Sequence, residues 1–252
     1  MPDLLNWLLV FLRAIGFLTI FPVFSGPNFP VQIRVALAAL LAFLVAPVLP
    51  TVLVRPDFWA VAGWMGMEVG FGLLLGFVSR MVFYALEICG GLMATEVGLM
   101  LPAGINPLAP SSSSELSTIL QLAAAMLFLS LNLHHGLLLA FQGSFVFLPS
   151  GGGHWRESVL VDVIGRSSHL FWFALQVAAP VLAVTFLVTV VFALLSRAVP
   201  QMNVFAENFS VRLLSGLTII GLTGSLMAQH IANFLHRLPN DVLRVAQLLG
   251  AG

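Results

Sequence analysis

An all-α, membrane-associated protein is the fold class that this sequence predicts, and both its composition and its segment lengths point that way. Of the 252 residues, 60% are hydrophobic, 8% are charged and none is lysine. Soluble domains carry roughly a quarter charged residues, so this chain cannot cover its own surface with polar groups. Several apolar stretches reach the length of about 20 residues that a bilayer-spanning helix needs. We therefore expect hydrophobic helical hairpins with kinked or broken helices, packed against lipid or other apolar protein.

The first predicted helix runs from Leu4 to Phe21 and carries Arg13 near its centre. A cleavable signal peptide has a basic leader, a short apolar core and a small-residue cleavage site. The early Asp3 and the central Arg13 fit that pattern poorly, so we expect this segment to be the first helix of the mature protein. An ionisable residue at membrane depth is costly, which makes Arg13 a candidate functional residue.

Prolines delimit the next apolar stretch, which runs from Val35 to Val54. Three precede it within nine residues and two lie inside it: Pro22, Pro27, Pro30, Pro47 and Pro50. Proline lacks a backbone donor and clashes with the preceding helical turn. We therefore expect no helix through the first group and an early helix end at the second.

The longest apolar run extends from Phe58 to about Leu101 and is interrupted by charged residues. These are Glu68, Arg80, Glu87 and Glu96. Arg80, Tyr84 and Glu87 share one helical face, but Arg80 and Glu87 are separated by about 10 Å along the axis, too far for a direct pair. The face is either a satisfied polar cluster between helices or the wall of a wetted cavity or subunit interface.

Glycines in the same run predict close helix packing. Gly66 with Gly70, and Gly72 with Gly76, have the small-xxx-small spacing. Because glycine has no side chain, two helix backbones can approach closely at such positions, and apolar helices associate in this way.

The segment from Gly98 to Ser117 is rich in proline and serine, which argues against regular structure. It is either an ordinary exposed loop or a re-entrant element that lines or blocks a pore. Irregular backbone at membrane depth is tolerated only where protein or water covers it.

Three further apolar stretches follow, and an amphipathic tail closes the chain. The stretches run over residues 119–148, 167–196 and 213–235, and Pro180 predicts a kink in the second. The tail, residues 239–252, predicts one or two amphipathic turns with Val242, Val245, Leu248 and Leu249 on the apolar side. The arginines between these segments do not alternate, so the positive-inside rule gives no orientation. Either short loops carry no signal here, or some helices are hairpins that never cross the membrane.

Several chemistries find no support in the sequence. The net charge is zero, and nucleic-acid binding needs a basic face. The single Cys89 excludes an internal disulfide framework, and the six histidines are scattered apart from His134 and His135. Ser144 lacks both glycines of a nucleophile elbow, and no spacing rule pairs it with His169 or His230. We expect no catalysis, no cofactor and no metal.

Four stretches in order resemble the FliR family of flagellar export-gate proteins and its injectisome counterpart, the SctT/YscT family. The resemblance runs from about Asn6 to Leu235. It includes the proline-rich FPVFSGPNFPVQIR, the long GFVSRMVFYALEICGGLMATEVGLMLPAGINP and the segment FLSLNLHHGLLLAFQGSFVFLP. The most specific stretch is LLSRAVPQMNVFAENFSVRLLSGL, with matching residues Arg197, Pro200, Gln201, Asn203 and Phe205. Glu207–Asn208 and the serine run Ser111–Ser114 depart from the pattern.

The resemblance implies a hetero-oligomeric right-handed helical spiral built with FliP-type and FliQ-type subunits, which this subunit closes as a single copy. Residues 1–165 would be the FliP-like portion and residues 166–252 the FliQ-like portion of one export-gate domain. A FlhB-type subunit, membrane lipid and exported unfolded proteins are the other implied partners. The implied location is the bacterial inner membrane, in the flagellar basal body.

The family also implies roles for named residues. A loop of this subunit helps to hold the gate shut, and here it corresponds to Leu101, Pro102, Gly104, Asn106, Pro107, Ser111 and Ser114. We predict that six charged residues lie at subunit contacts or in wetted crevices: Arg13, Arg34, Glu68, Arg80, Glu87 and Glu96. The resulting interpretation is a non-catalytic core subunit of a flagellar type III export gate. The alternatives are an injectisome gate subunit and a secondary transporter of a small solute.

Overall fold

Eight α-helices occupy the part of the chain that the computed structural model describes, namely residues 2–21, 23–24, 29–49, 57–99, 114–153, 155–199 and 203–250. No strand occurs within these ranges, which confirms the all-α fold class. The helices are α1 (Pro2–Ile20), α2 (Val31–Val45), α3 (Phe58–Val97), α4 (Glu115–Ser130), α5 (Leu133–Phe147), α6 (Glu157–Ala198), α7 (Val204–Leu235) and α8 (Leu238–Gly250).

The first two helices end where the prolines predict. The helix α1 stops at Ile20, and α2 gives way at Ala46 to a single 3₁₀ turn that contains Pro47. Small residues of α2, Ala38 and Ala42, are fully buried against α1. The side-chain amide of Asn6 donates a hydrogen bond to the carbonyl of Ala46 at 3.2 Å, which fixes the end of α2 to α1.

Two helices are far longer than a simple membrane span. The helix α3 has 40 residues and α6 has 42. At a rise of 1.5 Å per residue each extends about 60 Å, roughly twice the thickness of a hydrocarbon core. Both α3 and α6 pass the length and hydropathy criteria for a span, as do Val31–Val48 and Glu207–Gly250. Pro180 lies inside α6, and the kink expected there stays a prediction.

The predicted stretch over residues 119–148 is not one continuous helix. The helix α4 ends at Ser130 and α5 begins at Leu133, and the two form a bent pair. Between them Asn132 has a φ of 55°, in the left-handed region. Asparagine enters this region more readily than most residues because its short polar side chain tolerates it. The break therefore falls at a residue type that the apolar pattern does not flag.

The carboxyl-terminal tail is a full amphipathic helix rather than one or two turns. In α8, Leu238, Val242, Val245, Ala246 and Leu249 are buried, and Leu248 is half-buried. The helix packs on α5, where Gly136 lies against Pro239 and Gly143 against Leu243. Three of the four residues predicted for the apolar face, Val242, Val245 and Leu249, are buried.

The described chain divides into two compact units that interleave along the sequence. The first unit comprises residues 1–81, 129–167 and 236–252, and the second comprises residues 82–128 and 168–235. Each has its own apolar core. Leu9, Phe71 and Val242 are fully buried in the first unit, as are Leu86, Ala174 and Leu235 in the second. The predicted division at residue 165 concerns likeness to other subunits, and it stays a prediction.

Candidate functional site

A fully buried ion pair between Arg13 and Glu68 is the centre of the first unit. Arg13 Nε donates to Glu68 Oε2 at 2.6 Å, and Arg13 Nη2 donates to Glu68 Oε1 at 3.0 Å. Both side chains have 0% exposure. The pair is bidentate, which is the strongest geometry for a guanidinium and a carboxylate. Two of the charges predicted from the sequence therefore neutralise each other inside this chain.

The remaining donors of Arg13 bind the segment around the end of α5. Arg13 Nη2 also donates to the carbonyl of Leu148 at 2.9 Å, and Nη1 donates to Ser144 Oγ at 3.3 Å. The Phe145 ring covers the guanidinium, with its centroid 3.9 Å from Cζ. Glu68 Oε1 in turn accepts the backbone N–H of Gly151 at 3.1 Å. The buried charges thus have the partners that burial demands.

Glycines allow the helices to come close enough for this pair to form. A Cβ placed on Gly72 would overlap the carbonyl oxygen of Arg13, and one on Gly76 would lie 2.6 Å from the carbonyl oxygen of Phe17. On the facing helix, a Cβ on Gly16 would lie 2.8 Å from the carbonyl oxygen of Val69. The predicted packing role is confirmed for Gly72 and Gly76. Gly66 has no neighbour within 4 Å, and Gly70 faces the ring of Trp155 instead.

The connection between α5 and α6 is held against α3 by the same centre. Gly151 has a φ of +77°, a conformation that favours glycine, and it faces the Trp64 ring. Gly153 is wedged between Leu148 and Phe71. The ion pair therefore joins α1, α3, the end of α5 and the following connection. This arrangement can position helices and transmit strain between them, but it leaves neither charge accessible to a ligand.

Ser144 takes a different role from the one considered from the sequence. Its hydroxyl donates to the carbonyl of Phe141 at 2.6 Å and accepts from Arg13. It is fully buried. The sequence offers no local signal for this contact, because Arg13 and Ser144 are 131 positions apart.

The other predicted charges occupy varied environments. Arg34 is half-buried and its Nη2 donates to the carbonyl of Phe29 at 2.9 Å. Arg80 and Tyr84 are half-buried, whereas Glu87 is exposed. The helical stripe predicted for these three residues exists, since all lie on α3. Their placement at subunit contacts stays a prediction.

Glu96 belongs to a polar cluster in the second unit. Arg212 Nη2 binds Glu96 Oε2 at 2.9 Å and also donates to the carbonyl of Glu96. The hydroxyl of Thr185 lies 3.5 Å from the same carboxylate oxygen. The cluster joins the end of α3 to α6 and α7. The sequence offers no local signal for this pairing, because Glu96 and Arg212 are 116 positions apart.

A network of four charges that sequence reasoning missed fixes α8 in the first unit. Arg166 binds Asp162 at 2.5 Å and also binds Asp241, and Arg244 binds Asp162 at 3.3 Å. The i, i+4 spacing of Asp162 and Arg166 is a visible helical signal. The polar face of α8 is therefore attached to the first turns of α6, while its apolar face packs on α5.

Most of the predicted gate loop lies outside the described residues. Leu101, Pro102, Gly104, Asn106, Pro107 and Ser111 are all among those not described. Ser114 is described and is buried; its hydroxyl accepts the backbone N–H of Ser117 at 3.1 Å, so it caps α4.

The carboxyl-terminal motif is only partly described. Arg197 and Asn203 are exposed, at the end of α6 and just before α7. Pro200 and Gln201 lie outside the described residues, as does the side chain of Phe205. Within the described ranges no group of three or more His, Cys, Asp or Glu side chains is placed to hold a metal ion.

The profile of the family described as "Bacterial export proteins, family 1" matches residues 4–238. The chain belongs to this family. The match covers α2 to α7 completely and α1 except for its first two residues, and it leaves out most of α8. It includes both partners of the Arg13–Glu68 pair. Together with the candidate spans, it indicates that this family 1 export protein is a membrane protein.

Named relatives of the family 1 protein match it along most of their length. The "Flagellar biosynthetic protein FliR" of Escherichia coli is 25% identical over 253 residues, 97% of each chain. The FliR of Bacillus subtilis is 27% identical and covers 82% of this chain and 81% of its own. The FliR of Aquifex aeolicus is 28% identical, and the match covers 92% of this chain and 91% of the relative.

Proposed function

We propose that this protein is a core component of the flagellar type III protein export gate and helps to form and close the conduit for unfolded substrate proteins. The observation that carries the proposal is the family match over residues 4–238, with relatives of similar length that are named flagellar biosynthetic proteins. The relatives named above all carry a flagellar name, which favours the flagellar system over its virulence counterpart.

The exposed surface of the helices is typical of a protein that is embedded in a bilayer or in an assembly with other subunits. Exposed apolar side chains are frequent on α2 and on the second half of α6, including Phe43 at 69%, Phe186 at 65% and Leu194 at 63%. Contiguous exposed apolar surface marks protein or membrane contacts. A soluble monomer could not carry these faces, so they need lipid or neighbouring subunits.

The proposal also specifies the partner subunits of this protein and its location in the cell. The partners are FliP-type, FliQ-type and FlhB-type subunits, and the location is the inner membrane within the basal body. A single copy closes the right-handed spiral, with residues 1–165 acting as the FliP-like portion and residues 166–252 as the FliQ-like portion. The protein carries no catalytic step and no cofactor in this proposal.

Native mass spectrometry of the chain, tagged and expressed at its natural level, tests the assembly. We expect one copy bound to several copies of two other small hydrophobic subunits. A free monomer or a homo-oligomer, in cells that contain those subunits, would instead favour a secondary transporter of a small solute.

Deletion of the gene tests the flagellar assignment separately. Cells without it should fail to export filament protein and should not swim, and the intact gene supplied from a plasmid should restore both. Normal swimming combined with loss of virulence-protein secretion would move the assignment to an injectisome.

A further inference from the structure

Glu87 is an exposed carboxylate in the middle of an apolar helix. It lies on α3 within the second unit, and the nearby residues Ala85, Leu86 and Cys89 are fully buried. Among the residues that the structure describes, none binds its side-chain oxygens. Lipid hydrocarbon cannot solvate a carboxylate, so Glu87 needs water or a partner beyond the described residues, and a cation of another chain would serve.

The helix face that carries Glu87 is uncovered by the described residues over the next two turns toward the end of α3. Glu87, Gly91 and Thr95 follow each other at four-residue spacing and therefore share a face. A Cβ placed on Gly91 would have no neighbour within 4 Å. Leu92, which borders this face, is 39% exposed. We call Glu87, Gly91 and Thr95 the open face of α3.

The open face is held rigid from behind by α4. Ser117 Oγ donates to the carbonyl of Glu87 at 2.9 Å. A Cβ on the adjacent Gly90 would overlap the backbone of Ser117, so the two helices are in direct backbone contact there. Gly90 therefore packs within the chain, whereas Gly91 contacts none of the described residues. A preorganised surface loses little freedom when a partner binds.

We propose that the open face of α3 docks an apolar helix of another gate subunit, and that this helix carries an arginine or a lysine opposite Glu87. The proposal rests on the function proposed above, in which the chain works within a multi-subunit gate. Gly91 lets the partner backbone approach closely, as small residues do between apolar helices. The partner's cation then satisfies the carboxylate in a site closed to water.

A second copy of this chain is a poorer occupant than a different subunit. The chain contains no lysine. Away from the helix ends, the arginines of the described helices are engaged: Arg13 binds Glu68, Arg212 binds Glu96, Arg166 binds Asp162, and Arg34 and Arg80 make contacts of their own. Arg197 is exposed, but it lies in the last turn of α6 and not within an apolar stretch. A foreign helix with an unpaired cation fits the charge better.

Two substitutions on the open face test the proposal without disturbing the chain itself. Glu87→Arg reverses the charge, and Gly91→Leu fills the empty space. Matched controls are Glu207→Arg, a charge reversal at another exposed helical glutamate, and Gly224→Leu, at another helical glycine with no neighbour within 4 Å. All four variants are expressed in the deletion strain, and their membrane levels are measured alongside the subunits that co-purify with them.

We expect both open-face variants to reach the membrane at normal levels but to retain at least about tenfold less partner, because breaking a desolvated charge pair costs that much or more. The controls should retain partner. In a selection for swimming cells, Glu87→Arg should be suppressed by changes of a partner arginine or lysine to an acidic or neutral residue.

Other outcomes overturn the proposal. Normal partner recovery with both open-face variants would show that the face meets lipid or water. Loss of partner with the controls as well would show that the effect is not specific to this face. If deletion of the gene leaves swimming intact, the proposed function fails; if deletion stops swimming and Glu87→Arg swims normally, only the docking inference fails.

Discussion

Gly72 lies directly against the carbonyl group of Arg13, one helical turn after Glu68, whose carboxylate binds the side chain of the same arginine. The backbone contact and the ion pair therefore depend on one another. If the helices separate at Gly72, the pair is pulled apart, and if the pair is lost, each buried charge keeps only neutral hydrogen-bond partners.

Replacing Gly72 with alanine should destabilise the protein. The added methyl group overlaps the Arg13 carbonyl, and forced overpacking of this kind costs about 1–3 kcal/mol. Thermal unfolding of the purified protein in mild detergent measures the effect. Gly66→Ala on the same helix is the matched control; it meets no neighbour within 4 Å and should be neutral or slightly stabilising. Equal unfolding temperatures for the two variants would contradict the close contact.

Removing one partner of the Arg13–Glu68 pair should destabilise the protein more than removing both partners. Arg13→Leu leaves a buried carboxylate unpaired, which costs about 3–5 kcal/mol, whereas an apolar replacement of both partners can be far less costly. A double-mutant cycle with Glu68→Leu measures the coupling. Purely additive single and double variants would mean that the two charges do not depend on each other.

Arg166→Gln should loosen α8. The change removes the contacts of Arg166 with Asp162 and Asp241. Because these side chains are partly exposed, we expect the loss to destabilise the docking of α8 by roughly 0.5–2 kcal/mol at most. Hydrogen exchange over residues 238–250 should become faster, and high salt should speed exchange in the unaltered protein too. Arg237→Gln, an exposed arginine outside the network, is the control. Unchanged exchange in the Arg166 variant would mean that apolar packing on α5 alone holds the helix.

Shortening the proposed gate loop should leave the assembled gate leaky to small ions or solutes. The deletion should remove residues 104–113 and keep Ser114, because Ser114 caps α4 and its loss would destabilise the helix by about 1 kcal/mol. Conductance of the purified complex, or solute uptake by cells that contain it, measures the leak. A sealed complex with normal subunit composition would remove the loop from the closing mechanism.

Local signals in the sequence predicted local structure well. Pro30 and Pro47 bracket α2, and the spacing of Gly72 and Gly76 predicted a close helix contact. The helix break at Asn132 was not predicted, because the surrounding stretch is largely apolar and contains no proline. The helix α6 begins at Glu157, ten residues earlier than hydropathy indicates, because its first turns are polar.

The charged pairs could not be predicted from spacing. Arg13 and Glu68 are 55 positions apart, and Arg212 and Glu96 are 116 apart. Helical periodicity places a residue on a face of its own helix but does not say which other helix that face meets. Sequence reasoning identified Arg13 and Glu68 as important and predicted that they lie at subunit contacts or in wetted crevices; within this chain the two side chains bind each other.

The order in which the partners of Arg13 are synthesised has a consequence for biogenesis. Arg13 leaves the ribosome 55 residues before Glu68 and 135 residues before Leu148. At typical translation rates the first wait lasts about 3–11 seconds. Throughout that interval the guanidinium of Arg13 lacks the carboxylate that it binds in the folded chain. The first unit also closes only when α8, its last segment, is complete. Because the partners of Arg13 lie so far along the chain, the nascent protein needs protection of its apolar segments until these partners have been synthesised.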